Sequence, residues 1–175
     1  MILRPALPED VAALAALGRD SFVAAFGHLY REEDLGAFLL QCYSFEAVAQ
    51  EIADPAHRHR LAVDNDGSLA GFCKVRFPSA YAEYSDAARP MALQQLYTDP
   101  GRTGRGIGAR LMDWALGEAR ALGADAVQLS VWAENFAAQR FYARYGFAKI
   151  ADIDFYVGSH RDQEFLLELR LAPPR

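Results

Sequence analysis

The segment Leu96-Tyr97-Thr98-Asp99-Pro100-Gly101-Arg102-Thr103-Gly104-Arg105-Gly106-Ile107-Gly108 constrains the fold more than any other stretch of the chain. An apolar strand pattern, Met91 to Thr98, runs through a turn into glycines at 104, 106 and 108 and then directly into a helix. That helix reads Ile107 to Leu122, with Ile107, Leu111, Ala115, Ala119 and Leu122 on one face and Gly123 as its stop. Glycines leave backbone amides uncovered, and a helix N-terminus adds its positive dipole end, so the junction suits a phosphate or pyrophosphate. Arg102 and Arg105 add formal charge. A P-loop would need Lys and Ser/Thr after its last glycine, whereas Ile107 follows Gly106. A dinucleotide fingerprint would need G-x-G-x-x-G; Gly104-x-Gly106-x-Gly108 is one residue short, and no βαβ unit opens the chain. Taken alone, the same glycines also fit a helix start made flexible and nothing more.

Around this junction the pattern is that of alternating elements. Ile2 to Leu7 reads as a strand ended by Pro8, and Pro8-Glu9-Asp10 as a helix start, with Val11, Leu14, Ala15, Leu17 and Phe22 at helical spacing. A turn near Tyr30 precedes an amphipathic helix, Glu32 to Tyr43; Ser44 caps a third, Phe45 to Ala53. Arg60 to Asp64, the Asn65-Asp66-Gly67 turn and Leu69 to Phe77 form a hairpin. Pro78 to Pro90 reads as a polar loop. In the next strand Leu93 and Leu96 stand three apart around Gln94 and Gln95, which fits either a β-bulge or an exposed edge. Ala126 to Trp132 is a strand, Asn135 to Tyr145 a helix, Phe147 to Val157 a strand, and Glu164 to Leu171 a last strand before Pro173-Pro174. Strands alternating with helices around a central hairpin define a mixed α/β sheet.

The chain has 175 residues, 52% of them hydrophobic and 23% charged, which is the size and composition of one globular domain spanning 1–175. Its net charge of −5 argues against binding nucleic acid, which needs an excess of Lys and Arg, and is compatible with a cationic substrate. No stretch approaches the roughly 18 apolar residues of a membrane span, and the start lacks a signal peptide, so a soluble cytoplasmic protein is expected. Cys42 and Cys73 read as buried thiols. His28, His57, His59 and His160 lack metal-ligand spacing, no metal is expected, and His57-Arg58-His59-Arg60 reads as a solvated entry to a strand.

A second constellation, Asn135-Phe136-Ala137-Ala138-Gln139-Arg140-Phe141-Tyr142-Ala143-Arg144-Tyr145-Gly146-Phe147, follows at a fixed distance. Asn135 suits a helix cap, and Phe141 suits core packing. Tyr142 is a phenol on the same apolar face and is expected to point at something polar. Together, the glycine loop and Asn-x6-Tyr-x3-Gly-Phe resemble the GNAT superfamily of acetyl-CoA-dependent N-acetyltransferases. The likeness is strongest from Met91 to Ile150, and the order of elements along the chain agrees with it. It implies an α/β fold with a mixed, mostly antiparallel central sheet and flanking helices. It also implies an acyltransferase that moves an acetyl group from acetyl-CoA to an amine.

The resemblance implies roles residue by residue. Backbone groups of Leu96, Tyr97 and Thr98 would pair with the pantetheine arm. The amides of Gly104, Arg105, Gly106, Ile107, Gly108 and Ala109 would hold the pyrophosphate. Asn135 would hydrogen-bond the cofactor arm, and Tyr142 would be the general acid for the departing thiolate, with direct attack by the amine. Thr103 departs from the family, which places Gln or Arg there; Arg102 or Arg105 would replace that charge. The positions where some members carry a Glu base hold Gln94, Gln95 and Ser130, leaving Glu83, Glu134 and His160 as distant candidates, each also explained as a solvated surface residue.

Phe22-x3-Phe26-Gly27-His28-Leu29-Tyr30 and Asp34-Leu35-x2-Phe38-Leu39 resemble PaiA-type polyamine N-acetyltransferases, as do Val131-Trp132-Ala133-Glu134-Asn135 and Phe155-Tyr156-Val157-Gly158. On that likeness the acceptor is a small-molecule amine, a polyamine among the options, with Asp34, Glu32 or Glu33 as cation partners. A protein or peptide N-terminal or lysine acetyltransferase, and a non-catalytic acyl-CoA-binding module, are the alternatives. Monomer and homodimer both stay open.

Overall fold

The structure, a computed structural model, describes residues 1–172; Pro173 and Pro174 lie outside the described residues. Among the described residues seven strands, β1 (Ile2–Pro5), β2 (His57–Val63), β3 (Leu69–Arg76), β4 (Pro90–Thr98), β5 (Ala126–Trp132), β6 (Ala148–Val157) and β7 (His160–Arg170), form one sheet. Their order is β1-β2-β3-β4-β5-β7-β6, and only β4 and β5 run parallel. The sheet is thus mixed and mostly antiparallel, as the motifs implied.

Helices α1 (Val11–Phe26), α2 (Glu32–Tyr43), α3 (Phe45–Ala53), α4 (Ile107–Ala121) and α5 (Phe136–Arg144) flank it. The amphipathic stripe of α4 faces the sheet: Ile107, Leu111, Ala115 and Ala119 are at most 2% exposed. Full burial of each such leucine or isoleucine contributes roughly 2 kcal/mol. A second cluster puts Leu14 and Ala15 of α1 against Leu61, Val63 and Phe72 of β2 and β3. A third joins Phe22 of α1 with Phe38 and Leu39 of α2 and with Val157 at the end of β6. Ser44 caps α3 as expected, its Oγ accepting from the Ala47 amide at 3.1 Å.

Some strand ends differ from the sequence reading. β1 stops at Pro5, where a 3-10 turn takes over at Pro8. β2 begins at His57 because His57 and Arg58 already pair with Arg76 and Val75 of β3. His57 to Arg60 is therefore no solvated entry: His59 is 7% exposed, with Nε2 3.7 Å from the Glu51 carboxylate. Pairing is what lets such polar groups be buried. β7 begins at His160 rather than Glu164, closing a tight turn with Val157 opposite His160.

The feature that shapes the site is at Gln94. Gln95 of β4 pairs with Lys74, but Leu93 pairs with the next residue, Val75, so Gln94 is extra. The spacing of Leu93 and Leu96 therefore marks a bulge at Gln94, and both alternatives hold in part, because Leu96 lies beyond the residues of β4 that pair with β5. Pairing of β4 with β5 runs only from Pro90 to Ala92, against Ala126 to Gln128. A bulge bends its strand and raises its twist. Beyond it the two parallel strands diverge, and a cleft opens between them.

Candidate active site

The cleft has a volume of about 270 Å³. Gln94, Gln95, Leu96 and Tyr97 form one wall from β4, and Ser130, Val131 and Trp132 form the facing wall from β5. Because β5 does not pair with β4 here, the β5-facing backbone groups of residues 95 to 98 have no strand partner among the described residues. An extended ligand can add to such an edge through main-chain hydrogen bonds.

Asn135 and Tyr142 reach the same cleft from the start and the second turn of α5. Asn135 Oδ1 accepts from the Ala138 amide at 3.1 Å, the expected cap, which leaves its amide NH2 for another partner. Tyr142 packs on Phe141 and Phe147, with ring centroids 5.4 and 5.9 Å away. Among the described residues its hydroxyl has no hydrogen-bond partner. Burial pushes the phenol well above its usual pKa, so it stays protonated through neutral pH.

The glycine loop lies at the far end of β4. Gly104 and Gly106 have φ of 77° and 73°, a left-handed conformation natural to glycine, and space is open where a side chain would project. Gly106 is the cap of α4, and Gly108 follows in its first turn. A Cβ on Gly108 would sit 3.9 Å from both Thr98 and Phe141, so the loop abuts β4 and α5. Ile107 is 2% exposed and offers only its backbone to a ligand. Arg102 does not extend into this space. Its guanidinium bonds Asp64 Oδ2 at 2.8 Å and Ser68 Oγ at 2.7 Å, tying the loop to the β2–β3 turn. Arg105 also turns to Asp64, at 3.1 Å. Both guanidinium groups are engaged at the β2–β3 turn, and the open space at Gly104 and Gly106 lies beside the N-terminus of α4.

The acceptor side differs from expectation. Asp34 is buried and bonded to Ser159, while Glu32 and Glu33 are exposed on α2, and none of the three lines the cleft. Glu83 and Glu134 are exposed and also lie outside its lining. His160 is exposed and outside the lining; it touches two lining residues, Asp162, whose Oδ1 is 3.1 Å from its Nε2, and Tyr30, whose ring centroid is 5.2 Å away. The acids that do line it are Asp162 and Glu164, both on β7 and absent from the sequence-derived candidates. The Tyr30 hydroxyl donates to Asp162 Oδ2 at 2.6 Å, and burial together with this bond pushes the Tyr30 phenol up. Glu164 pairs across the sheet with Trp132, which turns it towards the cleft. Burial raises its carboxyl, the Ser130 hydroxyl acts the other way, and the Asp162 charge adds to the rise. No Lys, Arg or His is among the described lining residues. Nor is there, among the described residues, a group of three or more His, Cys, Asp or Glu that could hold a metal.

The comparisons with known proteins identify the class as an acyltransferase. A family model described as the Acetyltransferase (GNAT) family matches residues 20–147, and the chain belongs to that family. It is 29% identical over 165 residues to an uncharacterized N-acetyltransferase of Lactobacillus delbrueckii subsp. lactis, covering 94% of each chain. It is 31% identical over 148 residues to the aminoalkylphosphonate N-acetyltransferase of Salmonella typhimurium, covering 83% of each. Among solved structures, PaiA N-acetyltransferase from Thermoplasma acidophilum in complex with coenzyme A superposes with a TM-score of 0.79. That match covers 97% of this chain and 98% of the other at 23% identity. No helix among the described residues is long and apolar enough to cross a membrane.

Proposed function

We propose that residues 1–175 are one catalytic domain that moves the acetyl group of acetyl-CoA to the primary amine of a small molecule by direct attack. The observation that carries this reading is that Asn135, Tyr142 and the unpaired run of β4 meet in one cleft. The glycine turn abuts that cleft's outer end. The residues fit the cosubstrate: open amides from Gly104 to Ala109 for the pyrophosphate, backbone groups of Leu96, Tyr97 and Thr98 for the pantetheine arm, and the free NH2 of Asn135 beside it. Acetyl-CoA supplies the activated thioester.

The chain's own residues then do three things. The fork holds the thioester in line with the acceptor cavity, which turns a bimolecular encounter into an oriented one. The Tyr142 phenol, still protonated at neutral pH, donates to the sulfur as negative charge develops there. As the tetrahedral adduct collapses, the nitrogen loses its surplus proton and the thiol leaves protonated, with Tyr142 as the relay.

A negatively charged cavity with aromatic walls supports a cationic amine, polyamines included. Thiol release from acetyl-CoA, measured with polyamines, simple alkylamines, aminoglycosides and short peptides, tests this. Turnover confined to small amines supports the reading; turnover confined to peptides, or tight acetyl-CoA binding without turnover, rejects it.

A further inference from the structure

Two acceptor atoms in the walls of the cleft are buried and unsatisfied. Glu164 Oε2 on β7 and Gln94 Oε1 at the β4 bulge each lack a hydrogen-bond partner among the described residues. A buried acceptor without a donor costs roughly 1–3 kcal/mol, more when charged, so two around one cavity mark a place for a ligand rich in donors. The other acid of the cleft is already used: Tyr30 and His160 occupy the two oxygens of Asp162. Ser130, beside Glu164, is a hydroxyl and no base at neutral pH. Phe22, Phe26, Trp132 and Phe155 add aromatic surface to the walls, with Phe26 edge-on to Trp132 at 6.2 Å.

Resting on the acetyltransferase reading above, we propose that Glu164 and Gln94 seat the ammonium of the acceptor, and that Glu164 removes its proton. An ammonium brings three donors and a positive charge, matching a carboxylate and an amide oxygen. The nitrogen must lose a proton before it can attack. One N–H bond breaks, its proton passes to Glu164 Oε2, and the electron pair left on nitrogen forms the C–N bond. The C–S bond then breaks, and the second proton shed by nitrogen leaves with the thiol. Glu164 returns its own proton to solvent after product release. A carboxyl raised by burial is a stronger base than a free one, which suits the task. The seat also names the class of acceptor: a primary amine on an apolar or cationic body. A carboxylate or phosphonate close to the nitrogen would face Glu164 and Asp162 with no compensating cation in the lining.

The test compares wild type, E164Q and E164D with acetyl-CoA and either phenethylamine or spermidine across pH. The expected result is a fall in kcat/KM of about 10²–10⁴-fold in E164Q, with E164D between it and wild type. The stabilisation of the fold by acetyl-CoA should match wild type in both. E164Q should also regain activity as alkaline pH frees the amine, whose own pKa is about 10. A merely structural role does not predict that recovery, because it would lower activity alike at every pH. If E164Q remains within about threefold of wild type and keeps its acid limb, the seat is wrong and the transferase reading stands. If wild type binds acetyl-CoA but acetylates neither amine, the small-amine reading fails and the seat fails with it. Should E164Q not fold, an acid limb in E164D unchanged from wild type overturns the proposal equally.

Discussion

Asp34 Oδ1 accepts both the backbone amide and the hydroxyl of Ser159, at 2.7 and 2.8 Å. The pair fastens the first turn of α2 to the β6–β7 turn, and Phe38 of α2 in turn packs at 4.6 Å on Phe22, an α1 residue that lines the cleft. The amide bond to Ser159 is the main reason the Asp34 carboxyl sits below its usual range, with the Ser159 hydroxyl and Arg31 adding to it. Gly158 completes the fit: its φ is 58°, and a Cβ there would lie 2.5 Å from Asp34 Oδ1. Gly158→Ala is expected to lose roughly 1–3 kcal/mol in denaturant unfolding from strain alone. Asp34→Ala should lower the unfolding midpoint and raise KM for the amine more than for acetyl-CoA. Equal effects on both KM values would show that the staple does not shape the acceptor side.

Lys74 reaches Glu51 with Nζ 2.8 and 2.9 Å from the two carboxylate oxygens. Burial opposes the charge on Glu51, but contact with His59 and Lys74 outweighs it and holds the carboxyl down at about 2. An unfolded glutamate titrates near about 4.3, so between these values the unfolded chain binds more protons than the folded one. The contribution of this pair is therefore complete above about pH 4.3 and lost as pH falls towards 2. Wild type should lose about 2–3 kcal/mol across that window that Glu51→Gln does not lose. Parallel acid-unfolding curves for the two proteins would contradict the assignment.

Asn135 has two duties that substitution can separate. Asn135→Ala removes the cap of α5 and should cost about 1 kcal/mol. Asn135→Asp keeps an oxygen for the Ala138 amide but has no NH2 to give. It should unfold like wild type and yet raise KM for acetyl-CoA. A normal KM in Asn135→Asp would mean that the residue is only a cap.

The charge of the cleft sets a limit on acceptors. Its formally charged lining residues are both acids, Asp162 and Glu164. An aminoalkylphosphonate should therefore be acetylated at least about tenfold less efficiently than an alkylamine of equal length, a modest estimate for an unpaired anion facing buried carboxylates. Equal kcat/KM for the two would show that the anion is held by a cation outside this cleft.

Much of the fold could be read along the chain because its signals are local. Ser44 capping α3, the Asn65-Asp66-Gly67 turn and the i, i+4 stripe of α4 each act within a few residues, and each element stands where its pattern placed it. The strand ends at His57 and His160 were hidden because both are polar residues without an apolar alternation; His57 pairs with Arg76 of β3, and His160 with Val157 across a tight turn. The same holds for the acceptor side. Asp34 looks like a free acid on a helix until Ser159 is seen to hold it. Glu164 looks like the polar start of an apolar strand, and the available signal was the alternation of Asp162, Glu164, Leu166 and Glu168. That alternation puts three acids on one face, but only pairing with Trp132 shows that the face meets the cleft. The glycine turn and the Asn135 cap were legible because both act through local backbone geometry.

The most direct test of amine acetylation at this fork is steady-state thiol release by wild type and Tyr142→Phe, using the best acceptor from the amine panel. Product should be confirmed as the N-acetylated amine by mass spectrometry. The prediction is acetyl-CoA-dependent product with wild type, and a fall in kcat of about 10²-fold or more in Tyr142→Phe with unchanged affinity for acetyl-CoA. Wild-type kcat retained in Tyr142→Phe would contradict the role given to the phenol, and no acetylated amine from wild type would contradict the account as a whole.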